Sequence, residues 1–186
     1  MRGAHIRERV SACEVFVMAN PLSTLGIVHT AISLVPLMAG IWAFYRAGRI
    51  DPRSPVGRWY VYGMILGVLT AFGLSSTGGF NAGHAIGLLC LLSVAVASYA
   101  QRISALGGLG EYLETAAMSF SFFLMMIPTL NESLSRLPPS NPIGQGPDSP
   151  PVQTAVMIAL LLLILGVLYQ FYRIHRRRMP PARPAH

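Results

Sequence analysis

Ala159-Leu160-Leu161-Leu162-Leu163-Ile164-Leu165 is the stretch that decides the fold. It lies inside an apolar run from about Val152 to Tyr172 that contains no charged residue. Tyr169, Phe171 and Tyr172 close the run, and Arg173-Ile174-His175-Arg176-Arg177-Arg178 follows at once. A hydrocarbon core of about 30 Å is crossed by roughly 20 helical residues, so this run spans a membrane. Aromatic rings and then arginines at its end are the side chains expected where lipid tails give way to headgroups.

Four further segments have the same character. The first runs from about Pro21 to Tyr45, opened by Asn20 and interrupted by Pro36, which is expected to kink it. The second runs from about Pro55 to Ser76, with Trp59, Tyr60 and Tyr62 in its opening turns. The third covers Ala82 to Ala100, and the fourth covers Tyr112 to Leu130, its start narrowed by Glu111 and Glu114. None carries Asp, Glu, Lys or Arg at its centre. The runs are continuous rather than alternating, which excludes a β-barrel and leaves helices that satisfy their own backbone. The expectation is an all-α polytopic transmembrane bundle of five spans, or four if one fails to cross.

Composition agrees. Of 186 residues, 53% are hydrophobic and 11% charged, against about 25% charged in soluble domains. The net charge of +7 comes from arginines beside the apolar runs, where juxtamembrane charges belong. They form no groove-facing surface of the kind nucleic-acid binding requires. Cys13 sits in a polar tail and Cys90 within an apolar run, so no disulfide is expected, and no CxxC motif is present.

Arginine also sets a direction. With the loop after the first span inside, the inner face collects Arg46, Arg49, Arg53, Arg58, Arg102, Arg173, Arg176, Arg177, Arg178 and Arg183. The outer face receives Arg136 and the N-terminal Arg2, Arg7 and Arg9. That asymmetry predicts the N-terminus outside and the C-terminus inside a bacterial inner membrane. The three N-terminal arginines fit poorly, and a natural start at Met18 would remove them. The chain then divides into a tail (1–17), a transmembrane domain (18–172) and a basic cytoplasmic tail (173–186).

Two kinds of feature interrupt the lipid-like composition. Gly63 and Gly67 in the second span, and Gly83 and Gly87 in the third, are four residues apart. This spacing lets helices approach closely, within the chain or as a homo-oligomer seam. The other feature is histidine. His29 stands 17 residues before Arg46, and His84 stands 18 before Arg102. Both therefore lie roughly 26 Å above the inner arginines, on a level with Ser75, Ser76, Thr77, Asn131 and Glu132. Two neutral imidazoles at one depth suit a transition metal, or axial ligation of a b-type haem. Glu132 is then a third ligand or an acceptor behind them. The alternatives are interfacial hydrogen bonding for the histidines and an i,i+4 ion pair with Arg136 for Glu132. Glu111 and Glu114 are expected to complement the dipole at the start of the fourth span. The Pro-, Gly- and Ser-rich 137–151 segment reads as an extended outer loop.

His29 opening the first span, Gly57-Arg58-Trp59-Tyr60 entering the second, and Gly79-Phe80 before His84 resemble families of small bacterial integral membrane proteins without an assigned activity. The likeness covers roughly residues 26–102, and Pro128 through Leu137 also looks like an outer-end segment of such proteins. The resemblance implies an integral inner-membrane protein and no particular reaction. Three functions remain open: a His-based metal or haem site in redox or metal handling, a non-catalytic membrane subunit or assembly partner, and an oligomeric small-solute transporter. No mid-membrane charge and no inverted repeat favour the last. No nucleophile–base pair, paired carboxylates or phosphate loop point to an enzyme.

Overall fold

A computed structural model describes residues 23–74 and 79–179. Among these residues the chain is all-helical. It comprises α1 (Thr24–Ala47), α2 (Pro55–Phe72), α3 (Ala82–Ala100), a single 3-10 turn (Ser104–Leu106), α4 (Leu109–Arg136) and α5 (Pro150–Arg178). The alternative start at Met18, the Asn20–Pro21 opening and the Ser75-Ser76-Thr77 group lie outside the described residues.

Local chemistry accounts for the helix boundaries. Ser23 accepts a hydrogen bond from the Gly26 N–H at 3.1 Å, so the cap of α1 is this serine. Gly48 ends α1 with φ +71°, a left-handed conformation that a side chain disfavours, and its N–H reaches Phe44 O. Ser54 caps α2 through the Gly57 N–H at 3.0 Å, with Pro55 in the first turn. Gly57 is required there because a Cβ would stand 1.8 Å from the Asp51 carbonyl oxygen. Pro36 is accommodated inside the continuous helix α1 and is fully buried. The 137–149 connection contains no helix and folds back on α4, with Gly144 N–H donating to Leu134 O.

Successive helices pack on one another, and α4 also touches α1. The core lies among α1 to α4 and includes Tyr60, Met64, Cys90, Ala97 and Met118. α5 packs mainly on α4, and its buried residues are few: Val152, Gln170 and Ile174. Gly63 and Gly67 face α1, where a Cβ on Gly63 would lie 2.6 Å from Pro36 Cδ and one on Gly67 3.3 Å from Ser33 Oγ. Gly87 faces Val68 of α2. These three glycines thus serve packing within the chain, while Gly83 stays exposed.

Among the described residues, four helices are long and apolar enough to cross a membrane: α1, α3, α4 and α5. This supports a helical membrane bundle. The fourth apolar segment is among them. α4 has 28 residues, and its two glutamates are neutralised by arginines, as described below. α2 has 18 residues and gives its opening turns to Pro55, Arg58, Trp59 and Tyr60. At 1.5 Å per residue it measures roughly 27 Å, a little under the hydrocarbon thickness.

Candidate functional site

At the end of the bundle that holds the start of α1, His29 places its Nδ1 2.9 Å from Thr70 Oγ1 on α2. The Thr70 hydroxyl hydrogen is already directed at the carbonyls of Leu66 (3.0 Å) and Gly67 (2.9 Å). With the Thr70 hydroxyl donating to either carbonyl, Thr70 accepts from His29 Nδ1–H. Its Nε2 is then the acceptor, 3.4 Å from the Ser33 hydroxyl. His29 keeps a lone pair at Nε2 with only a long contact upon it.

His84 has the opposite arrangement. It occupies the third position of α3 in a reciprocal cap: Asn81 Oδ1 accepts from the His84 N–H at 3.1 Å, and His84 Nδ1 accepts from the Asn81 N–H at 3.2 Å. With Nδ1 accepting, the neutral ring carries its hydrogen on Nε2. The ring is buried and lies flat on Phe72, with centroids 4.6 Å apart and planes at 2°, and Phe80 stands 5.7 Å away. As arranged, His84 presents an N–H at Nε2 rather than a ligand lone pair. Ligation through His84 Nε2 would require the ring to give up the cap bond at Nδ1.

Both histidines attach to the end of α2, one through Thr70 and the other through Phe72. Glu132 forms an exposed ion pair with Arg136 at 2.8 Å, its i,i+4 partner. Asn131 Oδ1 beside it is buried without a hydrogen-bond partner among the described residues. Among the described residues, no group of three or more His, Cys, Asp or Glu is gathered to hold a metal ion.

The denser polar cluster is at the other end. Glu114 on α4 is 1% exposed, and both its carboxylate oxygens accept from Arg53 Nη2, at 3.0 and 2.7 Å. Glu111, one turn earlier, bridges Arg49 (2.8 Å) and Arg178 (2.9 Å). Buried Gln170 on α5 accepts from the Ser119 hydroxyl at 2.9 Å and donates to the Gly48 carbonyl at 2.8 Å. Arg178 also lies over the Tyr112 ring at 5.4 Å. The α1–α2 loop, α4 and α5 are thereby tied at one level. Thr115 Oγ1 is buried beside Glu114 with no hydrogen-bond partner among the described residues.

Sequence reasoning treated Arg49, Arg53 and Arg178 as topology charges and Glu111 and Glu114 as dipole partners. The available signal was their shared level: two carboxylates open the fourth span on the side that carries the arginine-rich loop. Neither a family model, nor a curated protein, nor a solved structure matches this chain.

Proposed function

We propose that this chain is a five-span protein of a bacterial inner membrane, N-terminus outside and C-terminus inside, that works as a non-catalytic membrane subunit or assembly partner. The observation that carries this reading is the disposition of α5. It is joined to the bundle mainly through α4 and leaves Met157, Ile158, Leu161, Leu165 and Leu168 exposed, with Arg176 and Arg177 beyond them. The bundle's own polar groups, meanwhile, are engaged within it: Glu114 with Arg53, Gln170 with Ser119 and Tyr60 with Ser121 between elements, and His84 with Asn81 in the cap of α3. α2 crosses as the fifth span because it is clasped by its neighbours and its short apolar part is met by Trp59 and Tyr62 at the interface.

Topology is tested by cysteine labelling in intact cells, using single cysteines at Ser140 and at Ser104 in a chain without Cys13 and Cys90. Impermeant reagent is expected to reach position 140 alone; labelling of 104 alone reverses the orientation. Partnership is tested with a photo-crosslinking residue at Leu161 or Leu165, compared with Leu69 on α2. A discrete protein adduct from α5 but not from Leu69 supports the reading. Lipid adducts alone from both helices overturn it.

A second reading, a metal or b-type haem in redox or metal handling, draws support from His29 alone, whose Nε2 lone pair is the less committed of the two. Loading would require His84 to give up its cap. Detergent-purified protein with no Soret band and no stoichiometric metal would end this reading.

A further inference from the structure

Between α2 and α3 runs a groove of about 400 Å³. Val61 and Ile65 of α2 and Leu91, Ala95 and Tyr99 of α3 form its apolar walls, and Arg102 lies at one end. The helices are consecutive and antiparallel, so the start of α2 and the end of α3 share that end. Arg58 stands there too, three residues before Val61 and seven before Ile65, on the same stripe of α2. From Leu91 to Arg102 the groove rises roughly 16 Å at helical pitch, along the direction a lipid chain takes.

Arg58 and Arg102 are exposed. The carboxylates of Asp51, Glu111, Glu114 and Glu132 are paired with other arginines. Among the described residues, neither Arg58 nor Arg102 forms an ion pair; Arg102 lies over the Tyr99 ring at 5.3 Å. An apolar channel with Arg102 at its end and Arg58 spaced on the same stripe of α2, neither in an ion pair among the described residues, is complementary to a single-charged headgroup with its acyl chain attached. The groove between α1 and α2, lined by Leu34, Met38, Trp42 and Trp59 among others, has no arginine among its lining residues, although Arg46 lies over the Trp42 ring at 5.8 Å.

We infer that the α2–α3 groove is a binding site for one anionic phospholipid, its phosphate at Arg102 and Arg58 and one acyl chain along Ile65, Leu91 and Ala95. The inference rests on the membrane reading and on neither the partner nor the metal reading. A chain that purified from cells without detergent would defeat the membrane reading itself, separately from the groove.

The test is native mass spectrometry of the detergent-purified full chain, titrated with phosphatidylglycerol or with phosphatidylcholine of identical acyl chains. One phosphatidylglycerol is expected to be retained in preference to phosphatidylcholine. Arg102→Gln is expected to weaken that retention about fivefold, the loss of one juxtamembrane arginine, and Arg58→Gln with Arg102→Gln to abolish the preference. Arg176→Gln, an exposed arginine on α5, should leave it intact. Ala95→Trp, which fills the channel, should lower retention of both lipids. Equal retention of the two lipids by the unaltered chain would overturn the site. So would an Arg176→Gln effect as large as that of Arg102→Gln, or no effect of Ala95→Trp. Unchanged helical circular dichroism in each variant separates loss of the site from loss of the fold.

Discussion

Arg53 and Glu114, 61 residues apart, meet through two hydrogen bonds of 3.0 and 2.7 Å, with the carboxylate almost wholly buried and the guanidinium half-exposed. Taking one member of a buried pair away leaves an uncompensated charge, which is why the loss exceeds what the pair contributed. Arg53→Ala is expected to destabilise the bundle by about 3 kcal/mol, at the low end because Arg53 reaches water. Glu114→Gln, which removes the buried charge and keeps an acceptor, should cost less. Thermal unfolding of detergent-purified protein ranks the two, and a larger loss for Glu114→Gln would count against a buried charge as the cause.

The α1–α2 contact depends on the missing side chain of Gly63. A Cβ there would press on Pro36, whose Cδ is 2.6 Å and whose backbone nitrogen is 3.1 Å from it. The proline ring cannot rotate aside, so Gly63→Leu is expected to part the helices at a cost of about 1–3 kcal/mol. Gly166→Ala is the control, since nothing lies within 4 Å of its added Cβ. Melting temperature should fall for the first and not for the second.

His29 and His84 should show opposite tautomers. The Thr70 and Asn81 hydrogen bonds place the hydrogen on Nδ1 of His29 and on Nε2 of His84. Imidazole nitrogen-15 NMR of the neutral protein, assigned by His29→Ala and His84→Ala, reads this directly. Identical tautomers would mean that one of the two bonds is not made. Asn81→Ala removes the acceptor for the His84 N–H and should cost about 1 kcal/mol.

Tyr60, fully buried, places its hydroxyl 2.9 Å from Ser121 Oγ, while the Ser121 hydroxyl also reaches Met118 O at 2.8 Å. The serine hydrogen is thus committed to its own helix, and Tyr60 donates. Tyr60→Phe deletes that donor and leaves Ser121 bonded to Met118, so a loss of about 1 kcal/mol is expected. A loss several times larger would show that the ring's packing, rather than the hydroxyl, had been disturbed.

Helix existence, the break at 137–149 and the Glu132–Arg136 pair were legible in the residues, because each depends on neighbours within one or two turns. The clasp of Glu114 by Arg53, the bridge of Glu111 between Arg49 and Arg178, and the tie from Gln170 to Gly48 were not. His84 reads in the sequence as a metal or haem ligand or as an interfacial hydrogen-bonding residue, with no partner named. Its role as a cap stacked on Phe72 depends on where α2 ends beside α3.

By itself, the sequence determined that the chain is helical and suited to lipid, since uninterrupted apolar runs can satisfy their backbone there only along their own axes. It also determined where the helices break, through Ser, Pro and Gly chemistry acting over a few residues. Tertiary structure alone decided which glycines close on which helix, which arginines are neutralised and which stay free at the α2–α3 groove. Those outcomes depend on distances between residues as far as 122 positions apart, such as Gly63 to Pro36, His29 to Thr70 and Gly48 to Gln170. Charge pairing and close packing act only at contact, and the packing of the helices determines which residues come into contact.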